Sequence, residues 1–255
     1  MKRLVGTTPS DNATVSVVCA VRNAGHCFEE LLNSYRRERT GETELIVLDA
    51  ESTDASWEIL QSHQDLVSIA LSRPDAGIYD AWNQALPLCK GRYVAFIGAD
   101  DRIAGGALET LVEACNEDAG QSHIISGFSV STRGGFPVAL IGGAFDRKRL
   151  VSRLTIAHAL CAHRLDWLIS SGGFRSSLRS AADYELLIRN RKELRVRVIP
   201  SVLAYVEDGG ISRSSLLPYL EDYRARRMNG IPFAVCVMLL GKGLTHGVLR
   251  RLGYR

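Results

Sequence analysis

The stretch Tyr93-Val94-Ala95-Phe96-Ile97-Gly98-Ala99-Asp100-Asp101 gives the strongest indication of how this chain folds. Its first five residues are mostly apolar and show no polar alternation, which predicts a strand buried within a sheet. Two adjacent carboxylates follow, and they repel each other unless a cation or a basic partner is near. Open α/β sheets bind ligands at this end of their strands, so one interpretation is a divalent-metal site that holds a phosphorylated ligand. The other interpretation is an acidic turn that caps a helix starting near Gly105.

Similar apolar runs lie upstream and alternate with helical patterns. Residues 15–21, 44–49 and 66–71 predict strands, and the spacing of apolar residues over 27–37 and 78–88 predicts helices. This alternation indicates βαβ units and a largely parallel sheet, which places the chain in the α/β class. Farther along, the predicted helices are 105–117 and 183–192 and the predicted strands are 123–130 and 196–206, whereas 150–171 predicts no single element.

Composition excludes several classes of protein. The 255 residues are 46% hydrophobic and 23% charged, as in an ordinary globular protein, and the net charge of +3 does not predict a nucleic-acid partner. Six scattered cysteines form no C-x-x-C pair, which favours a reducing compartment. No signal peptide is visible, and the apolar run over 231–241 is half the length that crosses a bilayer. We therefore expect a cytoplasmic protein, free or peripheral on the cytoplasmic face of the membrane.

Polar residues follow several of the predicted strands. They are Arg22 and Asn23, Asp49, Asp75 in the loop after the third strand, and Asp100 with Asp101. In a parallel sheet with right-handed crossovers these ends meet at one edge, where they predict a ligand site. Each acid taken singly is better explained by a capping or turn role, and it is their combination that favours a ligand site. No G-x-G-x-x-G follows the first strand and no P-loop motif is present, so neither a nicotinamide Rossmann site nor a P-loop is supported.

Five blocks of the sequence, spread over residues 14–212, resemble family 2 glycosyltransferases. They are Val15-Ser16-Val17-Val18 with Asn23, Leu45-Ile46-Val47-Leu48-Asp49 with Glu51-Ser52-Thr53-Asp54, Pro74-Asp75-Ala76-Gly77-Ile78-Tyr79-Asp80-Ala81-Trp82-Asn83, Phe96-Ile97-Gly98-Ala99-Asp100-Asp101, and Ala181-Ala182-Asp183-Tyr184-Glu185-Leu186-Leu187. The third block is typical of a bacterial polysaccharide subgroup. The resemblance implies a GT-A (Rossmann-like) fold, with a mostly parallel central sheet flanked by helices. It also implies a nucleotide-diphosphate sugar donor and transfer with inversion.

The resemblance also implies roles for individual residues. Asp101 would ligate a divalent metal, Mg²⁺ or Mn²⁺, and Asp100 would contact that metal or the ribose; such a cation neutralises charge on the departing diphosphate. The implied contacts to the nucleotide sugar are the backbone after Ala20, and Arg22, Asn23, Asp49, Asp75 and Asn83. Asp183 matches the general base that takes a proton from the acceptor hydroxyl. A helix N-cap is the alternative role for Asp183, with Ser180 as its rival for that position.

The sequence departs from the family pattern in several places. Gly98 and Ala99 stand where many relatives carry an acid, Ala50 replaces an acid, and Arg73 stands where an acid is frequent. Residues 207–212 stand where relatives carry a late metal-binding histidine. His158 and His163 are other candidates for contact with a ligand, and the alternative is the structural role that a lone histidine usually has. These departures leave two rivals open, a non-catalytic nucleotide-sugar-binding subunit and a nucleotidyltransferase of related fold.

The chain is predicted to divide into a flexible lead-in (1–13), a GT-A domain (14–212) and a basic, amphipathic helical extension (213–255). The last 43 residues contain eight Lys or Arg and two acids. Their apolar run over 233–240 is flanked by Arg224, Arg226, Arg227, Lys242, Arg250 and Arg251. One interpretation is a segment that meets anionic lipid, since the acceptors are expected to be glycans or lipid-linked sugars. The other is a helical pair that packs on the body of the protein.

Overall fold

The structure is a computed structural model that describes residues 2–6, 12–207 and 216–251, without the side chains of residues 246 and 248–251. The strands are β1 (Lys2–Val5), β2 (Val15–Val21), β3 (Thr43–Asp49), β4 (Ile69–Ser72), β5 (Tyr93–Gly98), β6 (Arg102–Ile103), β7 (Ile124–Arg133), β8 (Phe136–Ile141), β9 (Ala162–Arg164) and β10 (Val196–Glu207). The helices are α1 (Phe28–Glu38), α2 (Ser56–Ser62), α3 (Ile78–Ala85), α4 (Ala107–Asp118), α5 (Leu165–Ser170), α6 (Ala182–Arg189), α7 (Leu217–Met228) and α8 (Phe233–Arg251).

The strands form one sheet in the order β1-β4-β3-β2-β5-β9-β7-β10-β6, with β8 paired to β7. Strands β4, β3, β2 and β5 are parallel neighbours, as the alternation of strands and helices predicted. The short strand β9 lies antiparallel between β5 and β7 and makes the sheet mixed. It falls in the region for which the sequence predicted no single element, because three residues are too few to show a period.

The sheet is covered by helices on both faces, which explains the continuous apolar runs of its strands. Val17 and Cys19 of β2 face one side, where they join the core formed with α1 and α4. Val18 faces the other side and joins the core formed with α3 and α6. The polar residues that follow these strands are therefore held at the end of a rigid sheet.

The N-terminal segment corrects one expectation. The polar sequence of residues 1–13 predicted a flexible lead-in. Lys2–Val5 instead forms the edge strand β1, which pairs antiparallel with β4 from Lys2–Ser72 to Val5–Ile69. Residues 1 and 7–11 lie outside the described residues.

The two C-terminal helices correct a second expectation. Arg226 was one of the cations considered for contact with anionic lipid, but it is only 3% exposed. It donates hydrogen bonds to the carbonyl of Val151 (2.7 Å) and to the hydroxyl of Tyr184 (3.0 Å), so it anchors α7 to the body. The side chains of Arg250 and Arg251 lie outside the described residues. Within the part of the chain that the structure describes, no helix is long and apolar enough to span a membrane.

Candidate active site

The carboxyl end of β5 opens onto a cavity of about 710 Å³. Its lining comes from seven parts of the chain: the residue after β2, the loop before α3 with α3 itself, the end of β5, the loop before β9, the turn before α6 with the start of α6, the end of β10 and the start of α7. The residues with polar side chains that line it are Arg22, Asp75, Tyr79, Trp82, Asp100, Asp101, His158, Arg179, Ser180, Asp183 and Glu207. This volume is ordinary for a small-molecule site.

Asp100 and Asp101, here called the strand-end pair, lie where β5 ends. Asp101 is buried (7% exposed) and accepts a hydrogen bond from the backbone N–H of Gly98 at 3.0 Å, while Asp100 is exposed. Burial raises the pKa of Asp101 to about 7, and the neighbouring charge of Asp100 adds to this rise. A cation between or beside these carboxylates would relieve both costs.

Gly98 is required by the placement of this pair. A Cβ atom at position 98 would lie 2.8 Å from Oδ1 of Asp100 and 2.9 Å from Oδ2 of Asp101. Both carboxylates would then have to turn away from their present positions. Glycine, which stands here where many relatives carry an acid, therefore lets the carboxylates of the strand-end pair lie close to the backbone.

A divalent cation fits this pair as a site completed by its ligand. No group of three or more His, Cys, Asp or Glu suited to hold a metal occurs among residues 2–6, 12–207 and 216–251. Mg²⁺ and similar ions are commonly held by one or two carboxylates together with phosphate oxygens of a substrate. Of the segment predicted to replace a late histidine, residues 208–212 lie outside the described residues. Glu207 lines the cavity, and its carboxylate accepts hydrogen bonds from Thr132 and the backbone of Gly134 at 2.7 Å.

Residues 179–183, here called the 179–183 turn, bring Asp183 to the same cavity. Asp183 is half-buried in the first turn of α6, and its Oδ1 accepts a hydrogen bond from the hydroxyl of Tyr79 at 2.9 Å. Burial raises the pKa of Tyr79 well above its ordinary value, and the charge of Asp183 acts in the same direction. Tyr79 therefore remains a proton donor and holds one oxygen of Asp183.

The predicted contacts to the nucleotide divide into two groups. Arg22 and Asp75 line the cavity, and Oδ1 of Asp75 accepts a hydrogen bond from the backbone of Gly77 at 2.9 Å. Burial raises the pKa of Asp75, and the charges of Asp80 and Asp49 add to this rise. Asp49 is buried beside them, where it accepts hydrogen bonds from Ser72 Oγ (2.6 Å) and the backbone of Ser52 (3.2 Å).

Ala20, Asn23, Asp49 and Asn83 are not among the residues that line the cavity. Asn23 has a φ of 51°, and its side chain accepts a hydrogen bond from the backbone of Thr53 at 2.8 Å. Asn83 donates to the carbonyl of Phe174 at 2.7 Å and accepts from the N–H of the same residue at 2.8 Å. Both ends of the Asn83 amide are thus paired with Phe174 in support of the fold, and the predicted contact of Asn83 with the nucleotide stays a prediction.

Comparison with known proteins identifies the family of this chain. The model of the family described as "Glycosyl transferase family 2" matches residues 16–149, which is just over half of the chain. The chain belongs to glycosyl transferase family 2. This confirms the family that the sequence blocks predicted. Asp183 and the helices α5 to α8 lie beyond the matched residues.

Two curated relatives cover different shares of this family 2 glycosyltransferase. The PGL/p-HBAD biosynthesis glycosyltransferase of Mycobacterium bovis (strain BCG / Pasteur 1173P2) is 28% identical over 205 residues, which are 78% of this chain and 79% of that protein. The putative teichuronic acid biosynthesis glycosyltransferase TuaG of Bacillus subtilis (strain 168) is 29% identical over 127 residues, 49% of this chain and 50% of that protein.

Solved structures confirm the predicted GT-A fold. S. aureus TarS 1-349 in complex with UDP-GlcNAc has a TM-score of 0.70 and 20% identity, over 91% of this chain and 71% of that chain. The mannosyltransferase PcManGT of Pyrobaculum calidifontis, in complex with GDP-Man and Mn2+, has a TM-score of 0.62 and 18% identity, over 89% and 68% of the two chains.

The structure also tests the N-cap role that was the alternative for Asp183. Ala181 occupies the N-cap position of α6, and no side chain forms a capping hydrogen bond there. The N-cap role considered for Asp183 and for Ser180 is therefore wrong. Asp183 instead belongs to the cavity, together with Ser180 and Arg179.

The two histidine candidates differ in position. His158 lines the cavity with its ring stacked on Trp82 at 5.5 Å between centroids, and its buried Nε2 has no hydrogen-bond partner among the described residues. Burial lowers the pKa of His158, so the ring is neutral. His163 is fully buried behind it, against Phe96 and Trp167, and does not line the cavity.

Sequence reasoning did not assign functions to Tyr79 or Arg179, although both line the cavity. For Tyr79 a signal was present, because it lies within the G-I-Y-D-A-x-N block that carried the resemblance. Arg179 carried no comparable signal, since it precedes the block that contains Asp183 by two positions and stands in an irregular turn.

Proposed function

We propose that this family 2 glycosyltransferase moves a sugar from a nucleotide-diphosphate donor to a hydroxyl of a glycan or lipid-linked acceptor, with inversion, in surface polysaccharide biosynthesis. The observation that carries the proposal is that Asp101 and Asp183, from blocks 82 positions apart in the sequence, line one cavity together with two arginines. The names of the relatives support it, since one is a putative teichuronic acid biosynthesis glycosyltransferase. The bound UDP-GlcNAc and GDP-Man of the structural neighbours support the donor class.

In this mechanism Asp183 is the general base. It takes the proton of the acceptor hydroxyl while that oxygen bonds to the anomeric carbon and the bond to the diphosphate breaks, so the configuration inverts. Because Tyr79 holds Oδ1 of Asp183, the carboxylate is oriented and its other oxygen is left for the acceptor. General-base assistance of this kind contributes roughly 10²–10⁴-fold to a rate.

The leaving diphosphate carries negative charge that the cavity must stabilise. Asp100 and Asp101 would hold Mg²⁺ or Mn²⁺, which would neutralise that charge when bound. Arg22 and Arg179 line the same cavity, and a guanidinium group suits phosphate oxygens. Asp75 and the buried Asp49 lie toward the part of the cavity that we assign to the nucleoside.

A thermal-shift panel tests the donor class and the metal together. We expect the sugars of one nucleotide class, UDP-, GDP- or TDP-linked, to raise the melting temperature of the protein, and to do so only when Mn²⁺ or Mg²⁺ is present. A ligand that binds only the folded state stabilises that state. No shift with any nucleotide sugar, or an equal shift in excess chelator, would contradict the proposal. Turnover of the stabilising donor separates an enzyme from a non-catalytic binding subunit.

We further propose that α7 and α8 rest on an anionic membrane surface, where a lipid-linked acceptor would be presented. Leu216 and Leu220 at one end of α7, and Phe233, Val237 and Met238 on α8, are large apolar side chains that remain exposed. The guanidinium of Arg227 lies 5.8 Å from the ring centroid of Phe233, so cationic and apolar surface adjoin. Each basic residue near such a surface contributes about 1 kcal/mol to binding.

Co-sedimentation with vesicles tests this contact. Vesicles containing phosphatidylglycerol should retain the protein, and vesicles of phosphatidylcholine alone should not. Phe233→Ser should weaken retention several-fold, whereas Phe136→Ser, which changes a phenylalanine that is 76% exposed on β8, should leave it unchanged. Equal binding to both vesicle types, or equal loss in both variants, would overturn the membrane proposal.

A further inference from the structure

Helix α7 supplies a buried carboxylate directly behind the 179–183 turn. Glu221 is 2% exposed, and it lies one helical turn beyond Leu217, which lines the cavity. Its oxygens accept hydrogen bonds from the backbone N–H of Arg179 (2.9 Å), the N–H of Ser180 (2.7 Å) and the hydroxyl of Ser180 (3.0 Å). The sequence contains only two acids among its last 43 residues, and Glu221 is one of them.

These hydrogen bonds fix the backbone just before α6 begins. Two buried residues, Ala181 and Ala182, separate Ser180 from Asp183, and Asp183 lies in the first helical turn. Since Ala181 has no capping side chain, the start of α6 depends on the contacts of the turn that precedes it. The place of Asp183 in the cavity is therefore set from two directions, by the hydroxyl of Tyr79 and by the carboxylate of Glu221.

We propose that Glu221 is a positioning residue for transfer: it holds the 179–183 turn so that Asp183 meets the acceptor hydroxyl. This inference rests on the proposed function, in which Asp183 is the base. The chemistry of Glu221 suits the task, because an ionised carboxylate only accepts hydrogen bonds and can take several N–H donors at once. A glutamine would bring an NH₂ donor against the N–H groups of the turn and would lose one acceptor.

The variant Glu221→Gln tests the inference by separating turnover from donor binding. We expect kcat to fall roughly tenfold to a hundredfold, since a displacement of about 1 Å at a reacting group costs up to about 10²-fold. Donor affinity in the presence of Mn²⁺ should fall much less than kcat does, because the strand-end pair is not touched and Arg179 is the only proposed diphosphate-binding group in the turn. If Glu221→Gln does not fold, Glu221→Asp keeps the charge with a shorter reach, and kcat should fall severalfold.

Glu185→Gln is the matched control. Glu185 is also fully buried, on α6 itself, but its Oε1 pairs with Arg175 (2.8 Å) and Asn229 (3.0 Å), away from the 179–183 turn. We expect Glu185→Gln to lower the melting temperature and to leave kcat within about twofold. Equal effects of the two glutamine variants on kcat would overturn the inference and make Glu221 a support of the fold alone.

A double-variant measurement separates this inference from the function on which it rests. In an Asp183→Asn background, Glu221→Gln should lower the residual rate no further, because a residue that acts through Asp183 loses its effect when the base is absent. Additive losses would overturn the positioning role. Full activity of Asp183→Asn alone would instead contradict the proposed function itself, whatever Glu221→Gln does.

Discussion

The strand-end pair and the 179–183 turn line one cavity but are built in different ways. Asp100 and Asp101 follow β5 directly, and the backbone that holds Asp101 belongs to Gly98, three positions away. Asp183 is held by Tyr79, 104 positions away, and its turn is held by Glu221, 41 and 42 positions away. The pair proposed to hold the metal is thus encoded locally, whereas the proposed base depends on contacts between distant parts of the chain.

The largest effect that we expect comes from Asp183→Asn. Loss of the base should lower kcat by roughly 10²–10⁴-fold. The change is nearly isosteric and the side chain is half-buried, so the melting temperature should change little. Steady-state transfer assays with the donor identified by thermal shift would measure this loss, and Asp166→Asn on exposed α5 surface provides the control. Transfer at the original rate in Asp183→Asn would remove the base assignment.

Gly98→Ala is expected to have the next largest effect and tests the local construction of the strand-end pair. The added methyl group would displace both carboxylates, so we expect affinity for Mn²⁺ and for the donor to fall about tenfold, in the range found when groups that orient metal ligands are altered. Because only the ends of two side chains must move, the melting temperature should hold. Calorimetric titration measures the affinity.

Gly105→Ala is the matched control for this change, since a Cβ there would meet no atom within 4 Å. It should bind Mn²⁺ and donor as the original protein does. If Gly98→Ala and Gly105→Ala bind alike, the carboxylates do not need the space above Gly98, and the local account is wrong.

Tyr79→Phe tests the distant construction of the base. Removing the hydroxyl leaves Oδ1 of Asp183 without this donor, and a hydrogen bond to a charged group is worth about 1.5–3 kcal/mol. We expect kcat to fall roughly fivefold to twentyfold while donor affinity is retained. Tyr205→Phe, at a tyrosine that is 37% exposed on β10, should change neither quantity. A loss of donor affinity without a loss of kcat in Tyr79→Phe would reverse the roles that we assign.

The smallest effect concerns the aromatic core beneath both regions. His163 is fully buried, neither ring nitrogen has a hydrogen-bond partner among the described residues, and burial together with His158 lowers its pKa well below the ordinary 6.5. The unfolded chain therefore binds a proton near pH 6.5 that the folded protein does not, so stability is present above that pH and is lost as the pH falls. One such group contributes a slope of at most about 1.4 kcal/mol per pH unit.

His163→Phe should remove this part of the acid sensitivity. The free energy of unfolding, measured with urea, should decrease from pH 7.5 to pH 5.5 in both proteins. The decrease should be about 1 kcal/mol smaller in the variant than in the original protein. Some slope should remain, because His158 is shifted in the same direction. The exposed His26→Gln serves as the control. An unchanged difference between the two pH values would show that His163 titrates normally.

The same contrast explains what the sequence could predict. The parallel strands β2 to β5 and the strand-end pair follow from apolar runs and from residues adjacent to them, and both are found where they were predicted. Asn83 was assigned to the nucleotide from its block, but the block does not reveal that its amide is paired with Phe174. The sequence did not predict strand β9 or the hydrogen bonds of Glu221 to the 179–183 turn, because each forms only through contacts with segments far along the chain.

The most direct test of the account compares donor binding in Asp101→Asn and Asp183→Asn. Both variants remove one carboxylate charge from the same cavity, and calorimetric titration of the nucleotide sugar in the presence of Mn²⁺ reports on each. We predict that Asp183→Asn binds the donor as tightly as the original protein does and that Asp101→Asn binds it at least about tenfold more weakly, since it removes a proposed metal ligand. Equal affinities in the two variants would contradict the division of the cavity into a donor side and a base.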